Sequence, residues 1–99
     1  MRVEFAYSKE MANGEWRRTV IELDETDLDR LLIQYVLPLD KELTTVEAFK
    51  LLEIECQRLL LVELVTRYPL VFATDENHQR IKKYTQELLG TVESLRERT

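Results

Sequence analysis

The stretch Thr44–Tyr68, TTVEAFKLLEIECQRLLLVELVTRY, decides the fold. It reads as one long helix. Thr44 followed three residues on by Glu47 is a capping box, and Leu43 with Ala48 forms a hydrophobic staple around it. Pro69 closes the far end, because proline has no N–H to donate and biases Tyr68 away from helical angles. No Gly or Pro interrupts the interior. At ~1.5 Å per residue such a helix is about 36 Å long, so it crosses a whole domain whose radius of gyration is about 13 Å.

The apolar residues of this helix do not keep to one face. At about 100° per residue, Ala48, Phe49, Leu52, Cys56, Leu59 and Leu60 share one side, with Glu47, Lys50, Glu53, Gln57 and Arg58 off it. Past residue 60 the pattern turns over. Leu61, Val62, Leu64, Val65 and Tyr68 fall opposite, while Glu63, Thr66 and Arg67 take the formerly apolar side. Glu63 and Arg67 make a favourable i,i+4 pair. Two opposed apolar faces need cover on two sides, from the chain itself or from a second subunit.

Before the helix stands a hairpin. Val3, Phe5 and Tyr7 alternate with Arg2, Glu4, Ala6 and Ser8, which is the period of a half-buried strand; residues 16–23 read likewise, with Thr19, Ile21 and Leu23 on one face. Asn13-Gly14 marks the turn. A two-residue loop would set Phe5 opposite Glu22 and mix the faces. The loop Ala12-Asn13-Gly14 instead sets Val3 opposite Leu23, Phe5 opposite Ile21 and Tyr7 opposite Thr19, with Gly14 in the left-handed position of a bulge. Burial of one face selects this second register. It leaves Glu4 facing Glu22, and Met11 and Trp16 on the outer side near the tip, as an exposed contact site or, as is commoner for a lone Trp, partly tucked against their neighbours.

Asp24 or Thr26 then caps a helix with the stripe Leu28, Leu31, Leu32 and Tyr35, which Pro38 ends near Val36. Residues 37–42 connect it to the long helix. Beyond Pro69, Leu70–Ala73 suits a third strand or a buried extended connector. Thr74 or Asp75 caps a last helix reaching about Glu97, with the narrow stripe Ile81, Tyr84, Leu88, Val92 and Leu95 and with Leu89 beside it. Gly90 inside it marks close packing or fraying. The expected fold is therefore α+β in one domain: an N-terminal β-hairpin packed on three helices, with a long central helix at about 44–68 and a long C-terminal helix at about 75–97.

Composition bounds the function. The 99 residues are 44% hydrophobic and 33% charged, with a formal net charge of −5. That balance disfavours nucleic acid, which is bound through clustered Lys and Arg; Arg17-Arg18 and Arg80 with Lys82-Lys83 are only local exceptions. The longest wholly apolar run, Leu59–Val62, is far short of a membrane span. No basic-then-apolar leader opens the sequence, and the single cysteine forms no intrachain disulfide, so a cytoplasmic location is expected.

Chemistry is hard to assemble. One histidine, His78, and one cysteine, Cys56, do not make a zinc site, and no metal or cofactor is expected. Cys56 lies on the apolar face and reads as a core residue. Isolated glycines build no phosphate loop, and no catalytic residue stands out, so the chain is read as a non-enzyme.

The expected function is protein binding, as an adaptor or inhibitor of the kind small phage proteins provide. The acids Glu22, Asp24, Glu25, Asp27 and Asp29, with Asp40, Glu42 and Glu47 downstream, would meet a basic protein partner. The alternative is a module for an anionic metabolite or nucleotide, held by Arg17 or Arg18 with Tyr7 or Tyr84. Incomplete cover of the central helix further predicts a homodimer centred on Leu61, Val62, Val65, Ile81, Leu88 and Leu95.

Overall fold

Capping and turn chemistry set the element order. In a computed structural model, which describes residues 1–35 and 43–97, strands β1 (Arg2–Glu10) and β2 (Trp16–Asp24) form an antiparallel hairpin. Helices α1 (Glu25–Gln34), α2 (Thr45–Arg67), α3 (Pro69–Phe72) and α4 (Asp75–Arg96) follow. The architecture is α+β. The connection around Pro38 lies outside the described residues.

The hairpin takes the register that buries one face: Val3 pairs with Leu23, Phe5 with Ile21 and Tyr7 with Thr19. At its tip the Gly14 amide donates to the Met11 carbonyl at 2.9 Å, and Gly14 has φ 85°, which a glycine adopts without steric cost. Asn13 Oδ1 accepts from the Glu15 amide at 3.0 Å, tightening the turn. The unfavourable Glu4–Glu22 juxtaposition is relieved diagonally, Glu22 pairing with Arg2 at 2.6 Å and Glu4 with Arg18 at 3.3 Å. Trp16 is not tucked in; it is 68% exposed.

Both central caps form. Thr44 Oγ1 accepts from the Glu47 amide at 3.2 Å, and the Glu47 side chain accepts from the Thr44 amide at 3.1 Å. Helix α2 then packs against both strands, α1, α3 and α4. Ala48, Leu52 and Cys56 are buried as their side of the helix requires, but so are Leu51, Ile54 and Glu55. Phe49 departs from the expected face and is half exposed. The reason is that α2 is already enclosed over a wide arc near its start, and Phe49 lies at the margin of that arc. Past residue 60 the buried face rotates: Leu61 and Leu64 are buried while Thr66 and Arg67 are exposed.

One apolar cluster joins the elements. It takes Val3 and Leu23 from the hairpin, Leu28 and Leu31 from α1, Leu51, Leu52 and Cys56 from α2, and Leu88, Val92 and Leu95 from α4. The body measures 54 × 28 × 18 Å with a radius of gyration of 15.5 Å, above the about 13 Å of a compact domain this size. Such a shape keeps few side chains wholly enclosed; Leu51, Leu52, Cys56, Leu88 and Val92 are those with the largest volume.

Residues 70–73 correct the sequence expectation. They form neither a strand nor a buried connector: Pro69–Phe72 is a single helical turn with Pro69 at its start, and Leu70 is 101% exposed. A proline at N1 has its φ preset and loses no needed donor, which favours the turn. Gly90 also behaves differently from either expectation. Helix α4 runs unbroken through it to Arg96, and nothing lies within 4 Å of where a Cβ would stand.

Candidate functional site

The second apolar face of α2 ends in a cleft. Pro69 stops α2, α3 turns the chain, and α4 returns along α2. The hairpin lies on α2 from the other side, and between them a cleft of about 430 Å³ stays open. Its floor is Leu60, Leu61 and Leu64 of α2, with Gln57 beside them. Leu61 and Leu64 are buried but stand outside the contiguous core. The hairpin contributes Phe5 and Tyr7, α3 contributes Phe72, and α4 contributes Asn77, Arg80 and Tyr84.

Aromatic contacts hold the walls together. Tyr7 meets Phe72 edge-on, with ring centroids 5.2 Å apart, and Tyr68 lies 6.4 Å from Phe72. Lys9 Nζ stands 5.6 Å from the centroid of Phe72, within cation–π range. The corner between α3 and α4 is tied by Asn77, whose Nδ2 donates to the Phe72 carbonyl at 2.8 Å and whose amide donates to Thr74 Oγ1 at 3.2 Å. Arg80 and Tyr84, four residues apart on one helix face, are linked by an Nη2 to Oη hydrogen bond of 3.4 Å.

The structure brings Tyr7 and Tyr84 to one cleft, but not with Arg17 or Arg18 lining it. Strand neighbours point to opposite faces. Arg18 is on the outer face with Glu4, and Arg17 pairs in register with Lys9 on the face that carries Tyr7. Arg80 supplies the cation in the wall. In the sequence Arg80 stands out only as part of a basic run with Lys82 and Lys83, although its i,i+4 spacing from Tyr84 is a usable signal.

The acidic stretch at the start of α1 is largely engaged inside the chain. Asp24 is the N-cap, accepting from the amides of Thr26 at 2.9 Å and Asp27 at 3.3 Å, and the Asp27 side chain accepts in return from the Asp24 amide at 2.9 Å. The Asp27 amide, chief among these donors, holds the Asp24 carboxyl below its ordinary range. Glu25 pairs with the N-terminal amine, and that hydrogen bond lowers its pKa. Glu22 pairs with Arg2, and Asp29 is exposed.

The six positions expected at a dimer centre divide. Leu61, Leu88 and Leu95 are buried within this chain, so they offer no surface to a second copy. Val62, Val65 and Ile81 are half-buried. Cys56 is fully enclosed, its thiol donating to the Ile21 carbonyl at 3.1 Å, and burial pushes its pKa up. A raised pKa and no exposure keep it from acting as a nucleophile. Among the described residues no group of three His, Cys, Asp or Glu could hold a metal ion, and no helix is long and apolar enough to cross a membrane.

Compared with family models, with curated proteins and with solved structures, the chain finds no match in any of the three.

Proposed function

We propose that this protein is a non-catalytic interaction module that docks an apolar segment of a protein partner in the cleft between the hairpin and α4. The observation that supports this most is Leu70, wholly exposed on the same helical turn that sends Phe72 into the cleft. Val71 beside it is also exposed. Apolar side chains left in water beside an apolar cleft extend the area a partner can cover. Among the described residues no carboxylate or nucleophile–base pair lines the cleft, which suits contact rather than catalysis.

The role is that of an adaptor or inhibitor, and a cytoplasmic setting belongs to the same proposal, since a lone free thiol suits a reducing compartment. Self-association remains within it through Val62, Val65 and Ile81, which light scattering at tens of micromolar tests. The docking reading is tested by affinity capture with the wild type and with Leu70→Glu. A specific partner retained by the wild type and lost by a variant of unchanged circular dichroism is expected. Equal retention by both contradicts the reading.

A second reading is favoured by Tyr7, Tyr84 and Arg80 lining one cleft, whose volume lies in the range of about 300–1,000 Å³ typical of small-ligand sites. In it the cleft takes an anionic metabolite or nucleotide. Thermal unfolding with millimolar nucleotides and phosphorylated metabolites tests it; no stabilisation counts against it.

A further inference from the structure

Charge around the cleft is the reverse of the charge of the whole. The chain carries −5 overall, yet among the described residues the only charged side chain in the cleft lining is Arg80. Elsewhere arginines are matched: Arg2, Arg18, Arg30, Arg58, Arg67 and Arg96 each have a carboxylate within 4 Å. Among the described residues Arg17 and Arg80 have no such ion pair. Lys9, over the Phe72 ring, has none either. Lys9 and Arg17 are directly opposed in the hairpin, a like-charge pair that costs stability.

We infer that the docked segment is acidic as well as apolar: its Leu- or Phe-type side chains fill the cleft, and its carboxylates meet Arg80 in the cleft wall and, outside the lining, Lys9 over the Phe72 ring with its hairpin partner Arg17. This rests on the docking reading above. Arg80 donates a hydrogen bond from Nη2 to the Tyr84 oxygen, which leaves the Tyr84 hydroxyl hydrogen free to donate to the same carboxylate. A guanidinium and a phenol together fix the position of an acid more sharply than a lone lysine would. The overall negative charge does not prevent this, because at physiological salt the screening length is about 8 Å and the nearest charges dominate. It does disfavour a polyanion such as nucleic acid, which would lie along the acidic remainder of the surface.

The test is selection of random 12-residue peptides displayed on phage against the whole protein, with synthetic copies then titrated. Enriched peptides should combine Leu, Ile or Phe with Asp or Glu and shift the NMR signals of Leu60 and Tyr84. Their affinity should fall at least tenfold on Arg80→Glu, and the same peptides with Lys at the acidic positions should bind that variant better than the wild type. Arg80→Gln, which adds no negative charge, should give a smaller loss and serves if Arg80→Glu does not fold. Cleft-binding peptides without acids, or with affinities indifferent to Arg80, overturn the inference and leave the docking reading standing. No peptide at the cleft overturns both. Dodecanoate shifting the cleft signals where no peptide does overturns both in favour of a small apolar anion.

Discussion

The acids at the start of α1 and the cations around the cleft are both clusters of charge, and the fold treats them differently. Asp24 and Asp27 close a capping box, and Glu22 and Glu25 hold Arg2 and the N-terminal amine. Lys9, Arg17 and Arg80 are matched by no carboxylate among the described residues, and two of them face each other across the hairpin. A charge that satisfies an orphan backbone amide contributes to folding and has little left to offer a partner. A cation with no carboxylate beside it makes no ion pair that contributes to folding, and in the proposed docking it is the charge that a partner meets. Net charge alone would point to the acidic surface; the pairing pattern points to the cleft.

Several substitutions sharpen this contrast. The largest effect is expected from Leu61→Ala, because Leu61 is buried floor and not a free surface. It should cost about 2–5 kcal/mol in urea unfolding, the range for buried leucines. A near-neutral result would return Leu61 to a subunit interface. Next, Gly90→Ala should stabilise by about 1 kcal/mol, since the helix is continuous and the space for a methyl is open. Destabilisation would mean that α4 packs against something at that point.

Arg17→Glu should do two opposed things. It converts the like pair with Lys9 into an attractive one, raising stability by about 0.2–1 kcal/mol. It should also weaken an acidic cleft peptide. Loss of both stability and affinity would break the claim that this arginine is held at a structural cost.

The smallest effect is a pH dependence. Asp24 has a folded pKa below its unfolded value, so its contribution is present above the unfolded pKa of about 3.9 and lost as pH falls through the folded one. The thermal midpoint should therefore decline more steeply below about pH 4 in the wild type than in Asp24→Asn, which keeps the cap without the charge. Identical slopes would show that the carboxylate is not what the α1 amides select.

Much of the architecture was legible because each local signal agreed with burial. Asn13-Gly14 and the alternation of Val3, Phe5 and Tyr7 fixed the register, and Thr44 with Glu47 fixed where α2 begins. The short run after Pro69 was not legible, because four apolar residues have no period, and the choice fell to the preset φ of proline. The cleft was half legible. Rotation of the apolar face past residue 60 implied a second surface with incomplete cover. Which residues close it depends on where α4 returns and how far the hairpin overhangs α2, and neither is written in any local window. Arg80 was visible only as part of a basic run with Lys82 and Lys83.

In the proposed division of labour, the acids at the start of α1 serve the fold and the cations in and beside the cleft serve the partner. Thermal unfolding of Asp24→Ala and Arg80→Glu, side by side, with and without a selected acidic cleft peptide, tests it directly. Asp24→Ala should melt earlier than the wild type but gain as much from the peptide, because it loses a cap and keeps the cleft. Arg80→Glu should melt with the wild type and gain nothing from the peptide. The reverse pattern, with Asp24→Ala losing the peptide effect and Arg80→Glu losing stability, would contradict it.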